Sequence, residues 1–151
     1  MILDKGNKSK PFTAIQQDSV INTQEILAKM MASGLKITKQ RTSLVELLFK
    51  KGYRHVSAEA FHLEALQNNL NISLATVYNT LKYLYRLGLV NEIKICSVSF
   101  FDTQVSCHAH ILNEETGKFQ DINIDPYFID YIKNVSNVNH LKGIDIILKK
   151  E

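Results

Sequence analysis

Between residues 23 and 88, apolar side chains recur at three- and four-residue intervals in four separate runs, the spacing of helices that bury one face. Ile26, Leu27, Met30 and Met31 form the first run, with Thr23 placed to cap it and Gly34 to end it. Thr38 precedes the second, which carries Leu44, Leu47 and Leu48 on one side and runs out at Gly52. Ser57 precedes the third, with Glu59 in its first turn and Ala58, Phe61, Ala65 and Leu66 as its apolar stripe. Hydroxyl caps accept N–H groups that a first helical turn leaves unsatisfied, an acid there suits the helix dipole, and glycine readily takes the left-handed conformation that ends a helix.

The fourth run starts after Ser73. Leu74, Val77, Leu81 and Leu84 share one side, while Ala75, Thr76, Asn79, Lys82 and Tyr83 lie opposite, with Tyr78 on the flank and Gly88 as the stop. The period then changes, and residues 90–95 and 98–101 predict two strands joined at Cys96-Ser97. Short helices followed by a hairpin predict a winged helix-turn-helix, whose fourth helix has the small polar outer face that a major groove admits.

The remainder reads differently. Strands are predicted at 110–113 and 119–122 around a turn at 114–117. A helix opens at Asp125-Pro126 and carries Phe128, Ile129, Ile132 and Val135, and a last strand spans 140–148. The fold class is therefore α+β. A flexible arm (1–22) leads into a winged-helix DNA-binding domain (23–102), then a hinge (103–107) and a small α/β dimerisation domain (108–151). Phe119, Ile122, Phe128, Ile132, Ile144 and Ile146 are the expected core and interface of that last domain. A unit so small buries little surface alone, so a homodimer is expected.

Charge sharpens this division. Residues 1–96 hold 13 lysines and arginines against 7 acids, whereas residues 97–151 hold 5 against 8. A basic half suits a polyanion such as double-stranded DNA. No apolar run is long enough for a membrane span and residues 1–20 lack an apolar signal segment, so no membrane partner and a cytoplasmic location are expected. The two cysteines, Cys96 and Cys107, form no CxxC pair.

The candidate chemistry centres on His108-Ala109-His110. Residues two apart on an extended segment face one side, so both imidazoles can reach a single ion. Asp102 lies just upstream, Asp121 ends the next strand, and His55 occupies the loop before the third helix. Imidazoles with carboxylates suit Fe(II), Mn(II) or Zn(II). His62 and His140 stand alone, and no catalytic residue is assigned. A mononuclear iron oxygenase or peroxidase would use the same donors, but it would have no need of a winged helix.

Residues 34–48, Gly-Leu-Lys-Ile-Thr-Lys-Gln-Arg followed by an apolar run, resemble a signature of the ferric-uptake-regulator (Fur) family. So do His55-Val56-Ser57-Ala58-Glu59, the stretch Ser73-Leu74-Ala75-Thr76-Val77-Tyr78-Asn79, and His108-x-His110 with Gly117-Lys118 and Asp121. The resemblance covers about residues 23–148. It implies a metal-dependent repressor that binds a palindromic operator as a homodimer and is not an enzyme. Ser73, Thr76, Tyr78, Asn79 and Lys82 would serve its recognition helix, with Lys36 near a minor groove and Arg41 in the second-helix motif. It is most similar to the peroxide-sensing (PerR) branch. There His55, Asp102, His108, His110 and Asp121 would hold Fe(II) or Mn(II), or Zn(II) in purified protein, and His55 and His108 would be the residues oxidised. An iron- or haem-responsive member is the alternative. Asn113 and Thr116 stand where many members have a zinc-binding cysteine pair, so no structural zinc is expected.

Overall fold

A computed structural model describes residues 22–137 and 144–151. The chain divides into two compact units, one ending at Ser106 and the other beginning at Cys107. Thr103 and Gln104, assigned to a hinge on sequence grounds, are instead buried parts of the first unit.

The first unit starts with α1 (Thr23–Ala32), α2 (Lys39–Phe49), β1 (His55–Ser57), α3 (Ala58–Gln67) and α4 (Leu74–Arg86). The hairpin strands β2 (Asn91–Ile95) and β3 (Val98–Asp102) complete it. Thr38, Ser57 and Ser73 cap α2, α3 and α4 as expected, each side chain accepting a first-turn N–H. Asn22, not Thr23, caps α1, because its side-chain oxygen reaches the N–H groups of Gln24 at 3.1 Å and Glu25 at 3.4 Å. Met30, Leu44, Leu48, Phe61, Val77, Leu81, Leu84 and Phe101 form the centre of one apolar core. Leu66 and Leu74 were expected to join it but are exposed, since the buried side of α3 ends at Ala65 and that of α4 begins at Val77.

His55 lies in a strand, where the sequence predicts a loop. β1 pairs antiparallel with β3, and β3 with β2, giving the order β1-β3-β2. Cys96 takes a positive φ of 54° in the β2–β3 turn.

The second unit contains β4 (Ala109–Asn113), β5 (Phe119–Ile122), α5 (Pro126–Ser136) and β6 (Ile147–Lys150). β4 is central, antiparallel to β5 and parallel to β6. The β4–β5 turn is closed by its own side chains: Asn113 Oδ1 accepts from Thr116 N at 2.7 Å and from Thr116 Oγ1 at 2.8 Å. Asp125 caps α5 by accepting from Tyr127 N at 2.9 Å, with Pro126 in the first turn, where its missing N–H costs nothing. Among the residues expected to form this core, Ile122 is buried, Phe119, Ile132, Ile144 and Ile146 are half-buried, and Phe128 is exposed. Part of the predicted last strand, with His140, lies outside the described residues; the described strand β6 is later than that prediction.

One ion-pair network ties α3 to the segment before β1. Both Glu64 carboxylate oxygens accept from Arg54, and Lys51 lies 2.8 Å from the same group. The Arg54 hydrogen bond, helped by Lys51 and opposed by burial, lowers the Glu64 pKa from 4.5 to about 2. A carboxylate with a depressed folded-state pKa stabilises the fold above its unfolded pKa, and that contribution disappears as pH falls through the folded value. Glu64→Gln should therefore lower the urea midpoint at neutral pH, and the difference from wild type should shrink between pH 4.5 and about 2. A difference that does not vary with pH would assign the loss to packing instead of charge.

Candidate metal centre and nucleic-acid face

Backbone register brings the first pair of candidate ligands together. His55 stands opposite Asp102 across the β1–β3 ladder. His55 Nε2 lies 3.5 Å from Asp102 Oδ2, and the Asp102 side chain has no exposed surface. The other carboxylate oxygen accepts from the Gln104 N–H at 2.8 Å, which fixes the rotation of the group. Thr103 secures the backbone beside it. Its hydroxyl accepts from the Arg54 N–H at 2.8 Å, and its own N–H donates to the Arg54 carbonyl at 3.0 Å.

The second unit assembles three donors by itself. The His108 and His110 ring centres are 4.4 Å apart, as alternation along an extended segment requires. Asp121 faces His110 across the β4–β5 ladder. Its Oδ1 lies 3.1 Å from His110 Nδ1 and 3.7 Å from His108 Nε2. A ligand atom from each of the three lies within 4.8 Å of the others. Both histidines are buried, and the Phe119 ring meets His110 edge-on at 5.9 Å. Two imidazoles and a carboxylate converging in a desolvated place are a donor set for a divalent borderline metal, so the residues fit the ion that the sequence implies.

On α4, Tyr78 and Asn79 are exposed and Thr76 is half-buried. Ser73 caps the helix, and its hydroxyl also bonds that of Thr76 at 2.9 Å. Tyr78 meets Phe101 edge-on at 6.5 Å. Lys36 is exposed, and Arg41 donates to the Lys36 carbonyl at 2.8 Å, so these two share one corner at the start of α2. Lys82 is half-buried and bonded to Glu92 at 2.7 Å. Sequence reasoning missed Thr103, Gln104 and Glu92. Each acts through a partner that only the folded sheet supplies, and no local pattern marks any of them.

The first unit is a winged helix and the second a small sheet carrying a histidine–aspartate set. The chain belongs to the Ferric uptake regulator family, whose sequence profile matches residues 32–148. The peroxide-responsive repressor PerR of Staphylococcus aureus (strain Mu50 / ATCC 700699) is 32% identical over 99 residues, which is 65% of this chain and 66% of that protein. The chain thus spans just under two thirds of that relative's length. In fold it is similar to the Vibrio cholerae ferric uptake regulator, with a TM-score of 0.69, 23% identity, and coverage of 82% of this chain and 97% of that one. The Pseudomonas aeruginosa ferric uptake regulator with manganese gives 0.65 at 22% identity, over 83% and 96% of the two chains.

Thr103→Val should leave the Arg54 N–H without its acceptor and cost about 1–3 kcal/mol, measured by urea unfolding. Thr103→Ser keeps the hydroxyl and should recover most of that loss. Equal losses in the two variants would show that the methyl group, and not the hydrogen bond, secures the His55 strand.

Proposed function

We propose that this chain is a metal-dependent, DNA-binding transcription repressor that acts as a homodimer in the cytoplasm and senses peroxide through oxidation of its own histidines. The observation that carries this reading is the pair of donor sets, His55 with Asp102 in one unit and His108, His110 and Asp121 in the other. Only residues 103–107 lie between Asp102 and His108, so one ion is proposed to take donors from both sets. Membership of the Ferric uptake regulator family and the likeness to a peroxide-responsive repressor support the same reading. No helix among the described residues is long and apolar enough to cross a membrane.

The mechanism follows from what each side chain holds. An ion that took donors from both units would hold them at one relative angle. In a homodimer that angle sets the spacing of the two α4 helices, which must meet half-sites of a palindromic duplex about 34 Å apart. Tyr78, Asn79 and Thr76 present hydrogen-bonding groups to base edges, while Lys36 and Arg41 approach the backbone at the α2 corner. Iron(II) held by these residues would activate peroxide for O–O cleavage. The imidazole of His55 or His108 would provide the two electrons overall and take one oxygen, and the other oxygen would leave as water. His55 and His108 then stand to gain oxygen, and an oxidised ring loses its donor lone pair and with it the fixed angle. Manganese(II) suits the same donors but is a poor reductant of peroxide, and zinc(II) would fill the site in purified protein without redox chemistry. The exposed Tyr127, Phe128 and Tyr131 of α5 offer the apolar surface that a second copy would cover.

Two measurements test the parts separately. His110→Ala and Asp121→Ala should each abolish stoichiometric Mn(II) binding in titration calorimetry, with thermal unfolding of the metal-free protein still cooperative. Full Mn(II) binding by both variants would remove these residues from the site. Iron-loaded protein given a small excess of peroxide should gain one oxygen on the peptide carrying His55 or that carrying His108, and should release DNA. Manganese-loaded protein should do neither. Oxygen confined to methionine or cysteine, with DNA release reversed by a thiol, would place sensing at sulfur. DNA that is released by chelation but not by peroxide, with no oxygen gained, would make metal supply the signal.

A further inference from the structure

Lys82 stands on the side of α4 that the proposed function turns toward DNA, yet its charge is already engaged. Its Nζ lies 2.9 Å from Glu92 Oε1 and 2.7 Å from Oε2, so one ammonium bonds both oxygens of the carboxylate. The pair is well shielded: the lysine side chain is 25% exposed and the glutamate side chain 4%. The same ammonium lies 5.9 Å from the centre of the Tyr78 ring and 5.6 Å from that of Tyr85, within the range at which a cation is attracted to an aromatic face. Glu92 is fixed in turn by its strand, opposite Phe101 in the β2–β3 ladder, and Phe101 is the ring that Tyr78 meets edge-on. Burial works against ionisation of Glu92, but the hydrogen bonds from Lys82 and Ser99 outweigh it and keep its carboxyl below the ordinary range. The Glu92 hydrogen bond holds Lys82 above its ordinary value.

We infer that Glu92 is a specificity-determining residue: it masks the Lys82 charge from phosphates and turns that lysine into a brace for Tyr78. This rests on the DNA-binding reading above. A free lysine on this face would neutralise a phosphate of any sequence, release its counterion, and raise affinity for all duplexes alike. A lysine held by a buried carboxylate adds little of that indiscriminate attraction. Discrimination then falls to the groups that reach base edges, Tyr78 and Asn79, and the brace reduces the freedom that Tyr78 loses on docking. Glu92 is thus a positioning residue that acts through Lys82. The pair also revises what the sequence suggests for Lys82, which is a cation open to DNA.

The experiment uses manganese-loaded full chain, a random-sequence 30-base-pair duplex, and a duplex recovered by in vitro selection with the wild type. Affinities are measured across a salt series for wild type, Glu92→Gln, Lys82→Met and the double variant. Glu92→Gln should bind the random duplex more tightly. Its plot of log affinity against log salt should steepen by about 0.9 for each lysine released, or about 1.8 for a dimer. Affinity for the selected duplex should rise less, so the ratio between the two duplexes falls. Lys82→Met alone should leave the slope unchanged, and in the double variant it should cancel the gain. The slope reports ions released by the bound, folded fraction, so partial unfolding of a variant does not imitate the result. If wild type binds its selected duplex and Glu92→Gln keeps the wild-type slope, the masking role is overturned while DNA binding stands. It is equally overturned if Lys82→Met alone flattens the slope, or if the double variant retains the gain, which would mean that loss of an acid suffices. A metal-loaded wild type that binds no duplex overturns the proposed function, and this inference with it.

Discussion

The register of β3 is the constraint on which the N-terminal unit depends. β3 is the middle strand of its sheet and sends Phe101 into the core while placing Asp102 opposite His55. Side chains alternate along a strand, so a slip by one residue would exchange the positions of these two neighbours. It would put a carboxylate in the apolar core and an aromatic ring in the buried position where Asp102 now meets His55. The same register sets Glu92 against Phe101, which brings that carboxylate under α4. The histidine–aspartate pair and the Lys82–Glu92 pair therefore share one mechanical origin: hydrophobic burial of Phe101 fixes both.

The second unit is held differently. α5 buries none of its residues among those described, and Ala109, Leu112 and Ile122 are the apolar side chains that the sheet covers most completely. Alongside them the unit buries His108 and His110, polar groups that cost free energy to desolvate unless each has a partner. Asp121 and the ring of Phe119 supply those of His110, and His108 lies against Asp121 at 3.7 Å and edge-on to the His110 ring. A core this small that keeps two imidazoles buried gives up apolar packing at those positions. The exposed aromatic side of α5 is where further burial is available.

What the sequence made legible was what is local. Thr38, Ser57 and Ser73 cap helices using N–H groups three residues away, and the change of period after Gly88 announces the hairpin. His108 and His110 share a side because strands alternate, a rule that needs no partner strand. β1 was missed because three residues carry no periodicity and become a strand only when β3 lies beside them. Thr103, Gln104 and Glu92 were missed for the same reason: their partners are set by sheet register or by a turn that exists only in the fold. Asn22 was passed over for its neighbour because adjacent capping residues cannot be told apart until backbone angles are known. Asp121 was reached as the acid that ends the next predicted strand, and hairpin pairing sets it opposite His110.

The turn between β4 and β5 closes on an amide oxygen, a hydroxyl and backbone groups. None of these atoms is oxidised by peroxide, alkylated by an electrophile or removed by a chelator. The hairpin that aligns Asp121 with His110 is therefore insulated from the stimulus proposed to act a few residues away. Heat and denaturant can open this turn, but the signal cannot, so a protomer whose imidazoles have been chemically altered would still keep the architecture that displayed them.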